Sequence, residues 1–431
     1  MESYPYLSTT NCAALFENIF FSLYIIFLNY KIKLKNIDDG IFMAGSLAME
    51  QRRPDMGEIM GSMEFDIFSA EGTHYEIGKL RAITMKKYMP QDISYFVRAE
   101  KEADRAGCAE LAHARMRAIE MACPGLTDEI EGFASEINVD PEKLLFYSVS
   151  HFEMPNCSQI FVSPEHALNH CTCVGRSYKY WDKDERSLCI IRAEGKAGHM
   201  GFSLHNAGRT EGMNEYGLII SMSSVMYLNS LEGEGVAFWV VIRSVLENCR
   251  NVEDAVAYIR ETPIAANCNF MVADADGKAV VIEHASFAGE KRRLAVRYPR
   301  FGFLLATNHY VAESMREFDR NHMWNSEVRY SSVWRELLLN AGRLDENRLK
   351  KILAKKYPEG PCCHYYSSGM GTIRSMVFNA TEKRLEVCFG APDQNPWACF
   401  DFACPAGIKV FQVRFDDEIP ESEELFWQVY E

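Results

Sequence analysis

The residue best placed to act as a nucleophile is a cysteine that opens an apolar run. Cys157 follows Pro155 and Asn156 and begins the segment Cys-Ser-Gln-Ile-Phe-Val. A thiol with an unperturbed pKa of about 8.5 is mostly protonated near neutrality, so a base must take its proton. A papain-type arrangement would bring a distant histidine to the sulfur. His205, His309 and His364 are available, but none sits in a matching local signature. Taken alone, Cys157 reads first as a small buried apolar residue. A different chemistry starts from Cys171, Cys173 and His170 together with Cys362, Cys363 and His364, which supply enough sulfur and nitrogen for a zinc ion. Structural zinc sites usually separate paired ligands by two to four residues, and neither cluster does so, so no metal ligands are expected. No Gly-rich phosphate loop announces a nucleotide or coenzyme, and no cofactor is expected either.

Other segments change the weight given to Cys157. Gly175-Arg176-Ser177-Tyr178-Lys179 follows it, then Gly212-Met213-Asn214-Glu215-Tyr216-Gly217-Leu218, and later Thr307-Asn308-His309. Upstream lies Gly72-Thr73-His74-Tyr75-Glu76-Ile77-Gly78. Further on come Asn269 to Glu283 with Asp274-Ala275-Asp276-Gly277, Thr372 to Asn379, and Gly390-Ala391-Pro392. In this order, from residue 65 to about 400, the set resembles the isopenicillin-N acyltransferase-like branch of the N-terminal-nucleophile hydrolases. Choloylglycine hydrolases and penicillin V acylases are that branch's more distant relatives.

The resemblance implies an α+β fold, a four-layer αββα sandwich, made as a precursor that cuts itself between Asn156 and Cys157. The α-amine then freed on Cys157, with an unperturbed pKa of about 7.7–8.0, serves as the base for its own thiol. The thiolate attacks a linear amide, an acyl-thioester forms, and water or a second amine takes the acyl group. Carried over residue by residue, Asn308 donates to the oxyanion, and Arg176 holds Cys157 or stabilises its thiolate. Arg374 reaches the site from a closing strand. Asn214 and Glu215 shape the turn before the next strand. The family usually continues Gly-Arg-Asn-x-Asp, and its aspartate helps to position the nucleophile. Ser177 and Lys179 stand there instead, and Asp182 or Asp184 is a candidate substitute. A lysine there favours a thiolate by charge but cannot accept a hydrogen bond from an ammonium terminus. Two readings therefore stay open, an active amidohydrolase or acyltransferase and a diverged, uncleaved scaffold that binds an acyl or peptide ligand.

The elements that position these residues come from an ordinary soluble composition. The 431 residues are 48% apolar and 25% charged, which excludes a disordered chain, a collagen and a multi-span membrane protein. With 46 basic against 60 acidic residues the chain carries −14, and seven of the acids follow Arg414. Nucleic-acid binding is not expected, because phosphate neutralisation needs clustered Lys and Arg. The expected partner is a small-molecule amide or acyl substrate, and a homo-oligomer stays open. The fourteen cysteines are sparse and irregular, as expected of packing residues in a cytoplasmic protein. The apolar run Ile19 to Leu28 falls short of the ~20 residues that cross a bilayer and has its lysines on the wrong side for a signal. Residues 1–62 are read as an extension or an early start site, and 63–431 as one domain.

Within that domain a strand precedes a turn at Gly72 and a helix carrying Ile77 and Leu80. Leu111 to Met121 favours helix, and Asp140-Pro141-Glu142 starts another running towards Phe152. Beyond Pro155 the pattern becomes period two, in CSQIFVS, SLCIIRA and LIISMSSVM. Hairpins are expected at NFMVADADGKAVVIEHAS, with Asp276-Gly277 as a tight turn, and at RSMVFNATEKRLEVCFG. Helices are expected at AFWVVIRSVLENC, VEDAVAYIRET, SEVRYSSVWRELLL and, behind an Asp345 cap, to Lys356. Strand pairs interleaved with helices imply a layered fold with mostly antiparallel pairing.

Overall fold

The computed structural model describes residues 59–90, 93, 96, 109–144, 157–180, 187–204, 207–225, 235–287, 291–319, 322–366, 370–405 and 407–428. The apolar run Ile19 to Leu28, Asn156, Asp182, Asp184, His205 and the helix expected beyond Leu144 lie outside them. No helix among the described residues is long and apolar enough to cross a membrane.

Two large sheets carry the fold. The first has, among the described residues, nine strands: β1 (Ile59–Gly72), β4 (Ser187–Ala193), β5 (His199–Leu204), β6 (Gly208–Asn214), β7 (Ile219–Ser224), β8 (Cys268–Ala273), β9 (Ala279–Ala285), β10 (Arg293–Arg297) and β16 (Gly407–Phe415). Their spatial order is β10-β9-β8-β7-β6-β5-β4-β1-β16. The second contains β2 (Ser158–Val162), β3 (Cys173–Tyr180), β11 (Phe303–Ala306), β13 (Met370–Asn379), β14 (Arg384–Phe389) and β15 (Trp397–Phe400), with the short β12 (His364–Tyr365) on β13. Its order is β11-β2-β3-β13-β14-β15. Pairing is antiparallel along consecutive strands, whereas β1 runs parallel to β4.

Side-chain alternation along each strand builds three apolar layers. On β2, Phe161 points between the sheets, where Val174, Met200, Phe202, Met213 and Met271 meet it. Its neighbours Ile160 and Val162 point outward, onto helices α7 (Trp324–Leu339) and α8 (Glu346–Leu353) through Val333, Leu337, Leu349 and Ile352. On the other sheet, Ile219 faces inward and Ile220 outward. That outer face is covered by α2 (Ala109–Ala122), α3 (Leu126–Ile137), α5 (Phe238–Asn248) and α6 (Val252–Glu261). The result is an αββα sandwich, as the resemblance implied. Fully burying one such Phe, Ile or Leu side chain stabilises a fold by about 1.5–3 kcal/mol, and the inter-sheet layer and both helix-facing layers each bury many of them.

Local chemistry sets the element ends. Helix α1 (His74–Tyr88) starts at a capping box, in which Thr73 Oγ1 accepts from Glu76 N at 3.3 Å and Glu76 Oε2 accepts from Thr73 N at 2.9 Å. Its Ile77 is buried, whereas Leu80 is exposed. The turn α4 (Pro141–Leu144) begins with Glu142 N donating to Asp140 Oδ1 at 2.9 Å. Asp345 caps α8 through Arg348 N at 2.7 Å. The β8–β9 hairpin differs from the tight turn expected of Asp276-Gly277. Asp274 N donates to Lys278 O at 3.0 Å, which encloses three residues, and Gly277 takes φ +86°. A left-handed glycine closing a three-residue loop is the next commonest hairpin solution.

The acidic end of the chain is part of the body. In the turn α9 (Glu423–Phe426), Phe426 packs on Cys363, Tyr365 and Met370, and its carbonyl accepts from Asn325 Nδ2 at 3.1 Å. Gln428 O accepts from Trp324 N at 2.8 Å. The tail thereby fixes the first turn of α7.

Candidate active site

Cys157 immediately precedes β2, between β11 and β3, and is 6% exposed. Arg176 on β3 brings Nη2 to 3.7 Å from its Sγ. The rest of that guanidinium is held from the facing sheet. Nε lies 2.5 Å from Glu211 Oε2, and Nη1 donates to Met222 O. Glu211 on β6 also takes Arg374 Nη2 at 3.3 Å and Thr210 Oγ1 at 2.8 Å. Arg374 is spread over Tyr178 and Phe202, with ring centroids 3.8 and 4.3 Å from its Cζ. Cation–π attraction of this kind strengthens when water is excluded. One buried carboxylate therefore joins an arginine from each of two strands across the sandwich. Burial pulls the Arg176 pKa down, but Glu211 and then the Cys157 sulfur more than offset it, and the group ends above the ordinary value.

A second arginine reaches Cys157 from the helix layer. Arg329 on α7 is fully buried and donates from Nη1 to Cys157 O at 2.8 Å and to Ser158 Oγ at 3.0 Å. Its Nη2 donates to Asn308 Oδ1 at 2.9 Å and to Asn325 Oδ1 at 2.8 Å. A single planar group thus holds the backbone of Cys157 and the side chain of Asn308 in one plane, a geometry that lysine cannot copy.

Asn308 stands in a network built from three elements. Its N–H donates to Ser326 Oγ at 2.7 Å and its Nδ2 to Ser224 O at 2.8 Å. Thr307 O accepts from Ser223 Oγ at 2.5 Å and from Asn269 Nδ2 at 3.0 Å, and Asn269 also reaches His309 O at 3.1 Å. Gln159 bridges the sheets by donating to Ser223 Oγ at 3.0 Å and accepting from Ser221 Oγ at 2.5 Å. A primary amide has two N–H donors, and one of those on Asn308 is taken by Ser224.

Lys179 lies on the helix-facing side of β3, two residues from Ser177, to whose Oγ it donates at 3.1 Å. Burial above all, and then the nearby charge of Arg329, lower its pKa to about 8. Asn214 is not brought to Cys157. Its Oδ1 accepts from Tyr216 N and Leu218 N, both at 3.1 Å, and its Nδ2 donates to Leu246 O and Cys249 O at 3.1 and 2.8 Å. It ties the β6–β7 turn to the end of α5 on the opposite face of the first sheet. His309 is buried and bonds Ser326 Oγ and Thr307 Oγ1 through Nδ1 at 2.8 and 3.1 Å. Burial, with His322 and Arg329 nearby, pushes its pKa down to about 3. The two cysteine clusters considered for zinc do not share one point; Cys362 and His364 gather instead with Asp393.

Glu211 and Arg329 escaped the sequence reading. A partial signal existed for both. Glu211 directly precedes the Gly-Met-Asn-Glu motif, and Asn325, Ser326 and Arg329 form a polar stripe at helical spacing in a segment otherwise read only as amphipathic. Nothing local marks that stripe as buried.

The arrangement is that of a layered αββα protein with a cysteine at the start of a central strand. A family model, the acyl-coenzyme A:6-aminopenicillanic acid acyl-transferase family, matches residues 170–394, just over half of the 431 residues. The chain belongs to that family. The match takes in Arg176, Lys179, Glu211, Asn308, Arg329 and Arg374, and begins after Cys157. No curated protein matches the sequence. Among solved structures, a mutant conjugated bile acid hydrolase from Clostridium perfringens is 13% identical with a TM-score of 0.41, over 62% of this chain and 99% of that one. Penicillin V acylase from Agrobacterium tumefaciens is 13% identical with a TM-score of 0.38, over 59% and 91%. The Caenorhabditis elegans N-acylethanolamine-hydrolyzing acid amidase ortholog is 16% identical with a TM-score of 0.38, over 52% and 93%.

Proposed function

We propose that the protein is a cysteine N-terminal-nucleophile amidohydrolase or acyltransferase that acts on a linear amide through an acyl-thioester on Cys157. The observation that carries this reading is the enclosure of Cys157. Arg176 faces its sulfur at 3.7 Å, and Arg329 joins its carbonyl oxygen to Asn308. Cleavage of the Asn156–Cys157 bond would free the α-amine that takes the thiol proton. The thiolate then adds to the substrate carbonyl, and the second amide N–H of Asn308 donates to the oxygen that becomes negative. Collapse expels the amine with that proton and leaves the thioester. Water, or a second amine, attacks it and returns the thiol. Members of the family differ in the acceptor, and a small N-acyl or aminoacyl amide suits the site's chemistry. A cytoplasmic setting suits the twelve described cysteines, all free.

The test is direct. Intact mass of fresh protein should show two fragments dividing before Cys157, and a thiol-directed electrophile should label the smaller-numbered end of the second fragment. Cys157→Ala should remain full length and unlabelled there. Cleavage at the same bond in Cys157→Ala would assign the wrong nucleophile.

A second reading, an uncleaved ligand-binding scaffold, has its own support. Lys179 stands where the family has a carboxylate, and one Asn308 donor is occupied by Ser224 O. Full-length protein that resists the electrophile yet binds acyl amides would favour it.

A further inference from the structure

Away from Cys157, the structure gathers three metal-ligating atoms that the proposed reaction does not use. Cys362 Sγ lies 3.6 Å from His364 Nε2 and 3.4 Å from Asp393 Oδ1. His364 Nε2 lies 3.0 Å from both Asp393 oxygens. Cys362 is fully buried and His364 nearly so, while the Asp393 side chain keeps 18% of its surface in solvent.

The pattern separates a metal site from a catalytic relay. In a Cys-His-Asp relay the histidine meets its two partners through different ring nitrogens. Here the same nitrogen, Nε2, faces both sulfur and carboxylate. Three donors converging on one point is what an ion needs. Zinc bonds of about 2.3 Å to sulfur, 2.0–2.1 Å to nitrogen and 2.0–2.2 Å to oxygen, set tetrahedrally, place the donor atoms about 3.3–3.6 Å apart. The observed triangle of 3.6, 3.4 and 3.0 Å needs only a few tenths of an ångström of opening between His364 and Asp393.

We propose that Cys362, His364 and Asp393 bind a zinc ion, with a fourth corner left to water on the solvent side of Asp393. Thiolate, imidazole and carboxylate together suit zinc and not the hard oxygen-seeking cations. The ion would fasten two segments on either side of one strand. Cys363, next to the ligand Cys362, exchanges bonds with Thr372 on β13, its N–H donating to Oγ1 at 3.0 Å and its O accepting from Thr372 N at 2.9 Å. Asp393 sits beyond Gly390, whose N–H donates to Ile373 O at 2.8 Å. Both contacts fall within two residues of Arg374. Lys356 Nζ lies 3.9 Å from Asp393 Oδ2, but it is engaged by Glu418, whose carboxylate offsets its charge. Of the six residues weighed for zinc in the sequence, Cys171, Cys173, His170 and Cys363 drop out, and Cys362 and His364 gain Asp393 as third ligand.

Cobalt titration of metal-stripped full-length protein tests the assignment. A tetrahedral Co²⁺ complex with one thiolate should give a sulfur-to-cobalt band in the near ultraviolet, saturating at one ion per chain. Zinc should bleach it. Cys362→Ser should abolish that band, and His364→Gln or Asp393→Asn should weaken zinc binding by about 100-fold or more. Cys157→Ala should leave the band unchanged, which separates this thiol from the proposed nucleophile. If Cys362→Ser fails to fold, Asp393→Asn at the solvent edge still decides the matter. No saturable band in the wild type, a band that survives Cys362→Ser, or unchanged zinc affinity in Asp393→Asn would overturn the proposal.

Discussion

Strand β3 separates two sets of buried cations that the fold treats in opposite ways. Towards the facing sheet, Arg176 and Arg374 share the carboxylate of Glu211. Towards α7, Lys179 and Arg329 meet no carboxylate among the described residues. Lys179 rests on the Ser177 hydroxyl, and Arg329 spends its N–H groups on carbonyl, hydroxyl and amide oxygens. A charge paired in a low dielectric is fixed in its protonation state, whereas an unpaired lysine there relieves its desolvation by losing a proton. The comparison assigns to the first face a fixed charge that holds Arg176 against the Cys157 sulfur. To the second it assigns the orientation of Cys157 and Asn308 and whatever pH sensitivity the site has.

Removing the shared carboxylate should have the largest effect. Glu211→Gln leaves two buried guanidinium groups with no compensating charge, and breaking a buried pair in this way costs about 3–5 kcal/mol. Denaturant unfolding should show a loss of unfolding free energy of that size. A loss under about 1 kcal/mol would mean that water or relaxation already screens the triad, and the contrast between the two faces would dissolve.

On the other face the damage should fall on turnover. Arg329→Lys keeps a positive charge but cannot span Cys157 O and Asn308 Oδ1 together. With the Asn308 side chain no longer fixed from Arg329, weakening of the proposed oxyanion donor predicts a fall in kcat of about 10²–10³. KM should change much less, because Arg329 positions groups without touching substrate. A variant that lost KM and kept kcat would make Arg329 a binding residue instead. Asn308→Ala should lower kcat by a similar factor, and Arg329→Lys on top of it should add little, since both act through one group.

The layered fold was legible because period-two segments and capped helices repeat strongly enough to announce themselves. Asp345 and Asp140 sit where their caps form, and the inward and outward residues of β2 and β7 follow from alternation alone. Site legibility was uneven. Cys157, Arg176, Asn308 and Arg374 stand in motifs; Arg176 faces Cys157 and shares Glu211 with Arg374, while Asn308 is joined to Cys157 through Arg329. Glu211, Arg329 and the Asp393 partner of His364 gain their meaning from contacts across elements, for which one sequence offers no period. Asn214 shows the converse, a motif residue whose four bonds all serve a turn and a helix end. The tail after Arg414, legible only as a run of negative charge, anchors α7 through Phe426 and Gln428.

The smallest effect expected is also the one that most sharpens the contrast. Lys179 has a folded pKa of about 8 against an unperturbed value near 10.4, so between these pH values the unfolded chain binds the extra proton. Stability of the wild type should therefore rise with pH through that window, and the cost of keeping the lysine buried is complete below about pH 8. Lys179→Met removes that cost. It should stabilise the protein at pH 7 by up to about 3 kcal/mol, less about 1 kcal/mol for the lost bond to Ser177. The advantage should shrink steadily above pH 8, be gone by about pH 9.5–10, and give way to a cost of about 1 kcal/mol, the lost Ser177 bond, near pH 10.5. The same substitution at Arg374, whose charge is paired, should destabilise at every pH in this range. If Lys179→Met shows a pH-independent change, the lysine keeps its proton throughout. A partner of opposite charge must then reach it, and the two faces of β3 would be alike after all.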